Sequence, residues 1–296
     1  MNMMSVKILP LLAILLFFIP IANACFVSSE LSVEVEDVPP LKPLKTETID
    51  ANITFTWGFG AIFLFPLNIY IEIKDVPDWI YITPSESSFS IAPEKIFEGF
   101  FGGEKSRTIP ITLTPHKEVE AYVDSSFKIH VYTNGSFLIK GSEDEKSVSI
   151  RQDFQDKGVI ASLSPSTIKL KEGESKRCYL NLTNACNGDI TVNFEVENIT
   201  DNWKISFSPQ QVIIPSSYSG DNEKTVTVTF QGKGSEEGIL RIKYFPTANP
   251  DWGEKEITVP LILKSTEKGG AGGLVAVVAF IIFLIIIAFL WKKKKS

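Results

Sequence analysis

Acid–base, thiol or metal chemistry in this 296-residue chain would have to use two histidines, three cysteines and 35 carboxylates. Their spacing assembles no recognisable device. His130 alternates outward with Lys128 and Tyr132, and His116 follows Pro115 in a polar loop, so both read as surface residues rather than general bases or zinc ligands. The chain has no Cys-x-x-Cys pair, phosphate-cradling glycine loop or nucleophile elbow. Glu143-Asp144-Glu145 and Glu236-Glu237 lie in turn-like stretches where solvated loops are expected. The oxygen ligands that Ca²⁺ needs do not recur at a usable spacing. No catalytic residue, metal site or cofactor is expected. A hydrolase built on carboxylates alone would need a pocket-forming insertion that the pattern does not display.

The thiols follow the same reading. Cys178 shares a face with Leu180 and Leu182 and reads as a small core residue, while Cys186 lies in the turn Asn184-Ala185-Cys186-Asn187-Gly188. If residues 178–186 run extended, the two cysteines' Cα atoms stand about 26 Å apart, and a disulfide needs a fold-back that the alternation does not suggest. Four Asn-x-Ser/Thr triplets, at Asn52, Asn134, Asn181 and Asn198, are candidate glycosylation acceptors if the chain lies outside the cell.

The two ends point there. A short positive segment with Lys7, an apolar run over Ile8–Ile21 and Ala22-Asn23-Ala24 form a signal-peptide pattern over residues 1–24. Cleavage after Ala24 leaves Cys25 first, a candidate for lipidation, although bacterial lipoprotein signals prefer Leu where Ala22 stands. Ala271–Trp291 carries no charge over 21 residues, about 31 Å as a helix, which matches a bilayer's hydrocarbon core. Lys292–Lys295 then form a basic tail, residues 292–296, that the positive-inside rule puts in the cytoplasm. The expected topology is a cell-membrane protein with one span and its N-terminus outside, the polar and glycine-rich residues 265–270 acting as a flexible tether. Net charge is −6 overall and −11 over residues 25–268, which repels a phosphate backbone, so no nucleic-acid partner is expected.

Between the ends the period is two. Ile53, Phe55 and Trp57 alternate with polar residues, as do Leu67, Ile69, Ile71 and Ile73. Phe127, Ile129 and Val131 repeat the pattern, and so do Ile190, Val192 and Phe194, and later Val226, Val228 and Phe230. Such half-buried strands between Gly, Pro, Asn and Ser clusters indicate an all-β fold of sandwiches. Asp75-Val76-Pro77-Asp78-Trp79 lines up with Ile199 to Trp203 when one residue slips, and the strands that follow match in order. A tandem repeat of about 120 residues accounts for this, with sandwiches over 25–152 and 158–264 and a polar boundary near Gln152–Lys157.

In the second repeat, Asn202-Trp203, Ser208-Pro209, Pro215, Thr225–Thr229 and Gly238-Ile239-Leu240-Arg241-Ile242 resemble the NEW3 and CARDB group of immunoglobulin-like sandwiches. The resemblance is good over 159–264 and weaker over 31–150. It implies an immunoglobulin-like fold and a setting among archaeal surface and membrane proteins, and it says little about ligand.

One stretch breaks the soluble pattern. Phe55–Ile71 carries no charge, and its central loop holds Phe59, Ile62, Phe63, Leu64 and Phe65; a second apolar loop holds Phe97, Phe100 and Phe101. The corresponding stretch of the second repeat, Ser216–Asn222, is polar. Immunoglobulin topology puts both apolar loops at one end of the first sandwich, together with the Asn134-Gly135 turn. Either the rings cap their own core, or Trp57, Phe59, Ile62, Phe63, Phe65, Phe97, Phe100 and Phe101 form a membrane-distal contact site for a protein or glycan. The expected function is a non-enzymatic surface display or adhesion protein. The alternative is an extracytoplasmic accessory subunit of a membrane transport or export complex.

Overall fold

The computed structural model describes residues 27–59, 66–92, 101–136 and 139–266. The expected signal peptide, Cys25 and the apolar segment 271–291 with its basic tail lie outside the described residues. Among the described residues no helix is long and apolar enough to cross a membrane. The chain divides into two compact units, residues 1–155 and 156–296.

The first unit contains β1 (Ser29–Val35), β2 (Glu47–Trp57), β3 (Leu67–Lys74), β4 (Ile80–Pro84), β5 (Ser88–Ile91), β6 (Gly103–Pro115), β7 (Ser125–Thr133) and β8 (Ser142–Ile150). These form two four-stranded sheets, ordered β1-β2-β6-β4 and β5-β3-β7-β8. The order is that of the A-B-E-D and C-F-G sheets of an immunoglobulin-like sandwich, with β5 as an extra edge strand beside C. Alternation builds the core. Ile53, Phe55, Ile69, Ile109, Ile111, Leu113, Phe127 and Ile129 all point inward and are almost wholly buried.

The second unit repeats the plan with β9 (Val159–Ser164), β10 (Thr167–Lys171), β11 (Ser175–Asn184), β12 (Ile190–Glu197), β13 (Trp203–Ser208), β14 (Gln211–Ile214), β15 (Glu223–Gly232), β16 (Ser235–Pro246) and β17 (Lys255–Thr266). Its sheets run β13-β15-β11-β9 and β10-β17-β16-β12-β14. Here β10 lies parallel to β17 and covers that edge. In the first unit the corresponding place holds, among the described residues, the isolated bridges Val27↔Ile139 and Leu41↔Gln152.

Three expectations change. Glu143-Asp144-Glu145 lies in edge strand β8 rather than in a turn, and Glu236-Glu237 lies near the start of β16. Edge strands tolerate charges because one side of the ladder meets solvent. Ser265 and Thr266, expected in the tether, extend β17, where Ser265 N donates to Gly234 O at 2.8 Å.

Candidate functional site

The inward face of β2 ends on Trp57, which is 3% exposed with its ring 6.1 Å from Phe55. Trp57 shares parity with Ile53 and Phe55, so it belongs to the core and not to a contact surface, which corrects the reading that grouped it with the loop rings. The chain re-entering β6 crosses directly over this ring. A Cβ on Gly103 would stand 2.9 Å from Trp57 Cζ2, and one on Gly102, at φ +89°, 2.9 Å from Trp57 O. Only glycine fits both requirements at residue 102.

On either side of this crossing two rings leave the core. Phe59 is 64% exposed and Phe101 67% exposed, and their ring centroids lie 6.2 Å apart at an interplanar angle of 59°. This tilted pair joins the loop after β2 to the one before β6. Its base is tied down where Gly58 N donates to Ser28 O at 2.9 Å and Ser29 Oγ to Lys140 O at 2.7 Å. Each exposed ring offers about 2 kcal/mol on full burial by a partner. Ile62, Phe63, Phe65, Phe97 and Phe100 lie outside the described residues.

The equivalent end of the second unit is stitched by polar groups. Buried Asn184 donates through Nδ2 to Gly188 O and Pro215 O at 2.9 Å and lies 3.2 Å from Ile214 O, while Cys186 N donates to its Oδ1. Ser216 N donates to Asp189 Oδ1, and Asn222 Nδ2 to Asn184 O. Cys186 is wholly buried beside Asp156 and Gly158, and burial pushes its thiol up to about 11. Cys178 is also buried, and both thiols are free.

The histidines occupy surface networks. His130 Nε2 lies 3.1 Å from Glu143 Oε2 and its Nδ1 3.5 Å from Glu72 Oε2, and the ring stacks on Tyr132. His116 stacks on exposed Tyr81 at 4.0 Å. Among the described residues no group of three or more His, Cys, Asp or Glu is placed to hold a metal ion. All four triplet asparagines are exposed. Asn52 and Asn181 stand on the outer faces of β2 and β11, Asn134 follows β7, and Asn198 adopts φ 59° after β12. Sequence reasoning missed the buried Asn184 hub. Asn-Ala-Cys-Asn-Gly looks like an ordinary turn, and nothing in it shows that the first amide faces inward.

No protein-family model and no curated protein matches the chain. Among solved structures it is similar to the D00–D0 domain of intimin, at 13% identity and a TM-score of 0.31, over 78% of this chain and 98% of that one. The YadV chaperone gives 14% identity and 0.28, over 77% and 99%. The ASH/PapD-like domain of human CEP192 gives 16% identity and 0.28, over 36% and 85%. The immunoglobulin-like assignment rests on strand order and not on these likenesses.

Proposed function

We propose that this is a non-enzymatic, single-span surface protein that presents two immunoglobulin-like sandwiches outside the cell and takes a protein or glycan partner on the end of the first. The observation that carries this reading is the Phe59–Phe101 pair, two-thirds exposed on a glycine-framed end whose counterpart in the second unit is closed by hydrogen bonds. A protruding apolar pair, on an end where glycine lets the chain pack directly over Trp57, suits a partner that buries rings. The anchor is supported by the uncharged run 271–291 and the four lysines after it. Only residues 267–270 separate the last strand from that run. The resemblance to the NEW3 and CARDB group supports an archaeal cell envelope as the setting.

The test is a pull-down with the full chain after gentle detergent extraction, comparing wild type with Phe59→Ser/Phe101→Ser. Wild type should capture a surface protein or glycan, and the double variant should lose at least tenfold of it. Exposed positions contribute little to folding, so the variant's stability should stay within about 0.5 kcal/mol of wild type. Equal capture by both proteins overturns the contact site. Recovery of stoichiometric membrane subunits instead would make the sandwiches a scaffold of a transport or export complex.

A further inference from the structure

The two units can be aligned residue by residue through their ladders. Asp75 and Asn198, both at positive φ, follow β3 and β12 at matching places, and Ile80 and Trp203 open β4 and β13. Ile80 pairs with Pro115 and Trp203 with Gly232, so these two mark the same point on β6 and β15. Counting back along those strands, Ile109 matches Val226; their partners across the ladder are Ala51 and Leu180. The next residue outward is Asn52 in one unit and Asn181 in the other. Each faces a threonine, Thr108 or Thr225.

Two of the four triplets therefore occupy one and the same register position. The neighbours have diverged, with Asp50 against Tyr179, Ala51 against Leu180 and Phe55 against Asn184, yet Asn-Ile-Thr and Asn-Leu-Thr stand together. The period of two puts Asn and Thr of each triplet on the same outer face. In the second unit Thr225 Oγ1 donates to Asn181 Oδ1 at 2.8 Å, which engages the amide oxygen of an exposed asparagine rather than its Nδ2. Tyr179, two residues before Asn181 on that face, is half-exposed and offers a ring for the apolar side of a sugar. The other two triplets have no such counterpart. Asp75 stands where Asn198 does.

We propose that Asn52 and Asn181 are a matched pair of N-glycan attachment sites, one on the outer face of each sandwich. The inference rests on the reading that these units lie outside the cytoplasm. The donor class is an oligosaccharide linked to a lipid pyrophosphate. Nδ2 bonds to sugar C1, the bond from C1 to the pyrophosphate oxygen breaks, the amide gives up one proton to the transferase, and the lipid pyrophosphate leaves.

Glycopeptide mass spectrometry on the full chain, purified from membranes of the cells that make it, tests this. The peptides containing Asn52 and Asn181 should both carry glycan of the same mass. Asn52→Gln and Asn181→Gln should each lower the intact mass by one glycan, and the double variant by two. Recovery of either peptide unmodified overturns the pair, whatever Asn134 and Asn198 carry. Protease added to intact cells separates the two readings. If the sandwiches are cleaved while Asn52 and Asn181 are bare, the external location stands and the glycan pair falls. If they are protected and bare, both fall.

Discussion

The loop-bearing ends of the two sandwiches share strand order and differ in what closes them. By the same register, Phe55 of the first unit and Asn184 of the second occupy one position, and both are fully buried. Phe55 continues an apolar stack into Trp57, and the chain beyond it carries the exposed rings of Phe59 and Phe101. Asn184 instead spends its amide on the carbonyls of Gly188, Ile214 and Pro215, and this ties down the loops on either side. One inward residue therefore separates an end held by packing, whose loops are free to be apolar, from an end held by hydrogen bonds, whose loops are polar. The buried amide satisfies backbone groups that a phenyl ring at that position would leave unpaired.

Exchanging the two chemistries should break each end in its own way. Phe55→Asn removes a buried ring and strands an amide among Ile53, Trp57 and Leu31, at a cost of about 5 kcal/mol. Limited proteolysis of the full chain should then cut the first unit and spare residues 156–266. Loss of both units together would show that they fold as one. Asn184→Ala removes the hub and should cost about 3 kcal/mol, read as a lower urea midpoint for the second unit alone. A cost no larger than that of an exposed asparagine would mean the hydrogen bonds close nothing.

The thiol beside that hub sharpens the contrast without altering a residue. Burial raises Cys186 from about 9 to about 11, and Cys178 also moves up, mainly through burial. At pH 8 both are thiols in the folded chain, so an alkylating reagent should label them only on unfolding. The sign of the pH dependence follows. Because the folded chain holds this proton more tightly than the unfolded one, the stabilisation is complete below pH 9. It is lost as pH rises through 9 to 11. The first unit has Trp57 at the matching register, so this thiol-linked contribution belongs to the second unit alone. Labelling of native protein at pH 8 comparable to that of the denatured chain would show an open end.

Much of this architecture is written in the period of two. The strands around Ile53, Ile69, Ile111, Phe127, Val192 and Val228 announce themselves because a half-buried sheet needs apolar residues at every second position. Where an edge strand meets solvent on one side that rule relaxes, and Ser142–Lys146 reads as a charged turn although it pairs with β7 over its whole length. Parity alone is enough to send Trp57 inward with Phe55. The approach of Phe59 to Phe101 comes from loops far apart in sequence, and composition cannot supply that distance. The match of Asn52 with Asn181 was hidden for a related reason. Loops of unequal length separate the strands of the two repeats, so the register appears only when the ladders are counted.

The smallest expected effect concerns the C-F-G faces, where the same counting sets His130 against Arg241 and Glu143 against Glu256. In the second unit Arg241 lies 2.8 Å from Glu197 and 3.2 Å from Glu256, a permanent cation between two carboxylates. In the first, an imidazole occupies that place between Glu72 and Glu143. An arginine there would carry its charge at every working pH and could fork to both acids. His130→Arg should therefore stabilise the first unit by about 0.5 kcal/mol at pH 8, since both carboxylates are well exposed and screened. The gain should shrink in 1 M salt. A gain that ignores salt would assign the difference between the faces to packing on Tyr132. The imidazole would then serve as a ring in the Tyr70–Tyr132–His130 stack, and charge would play no part in why the two faces diverged.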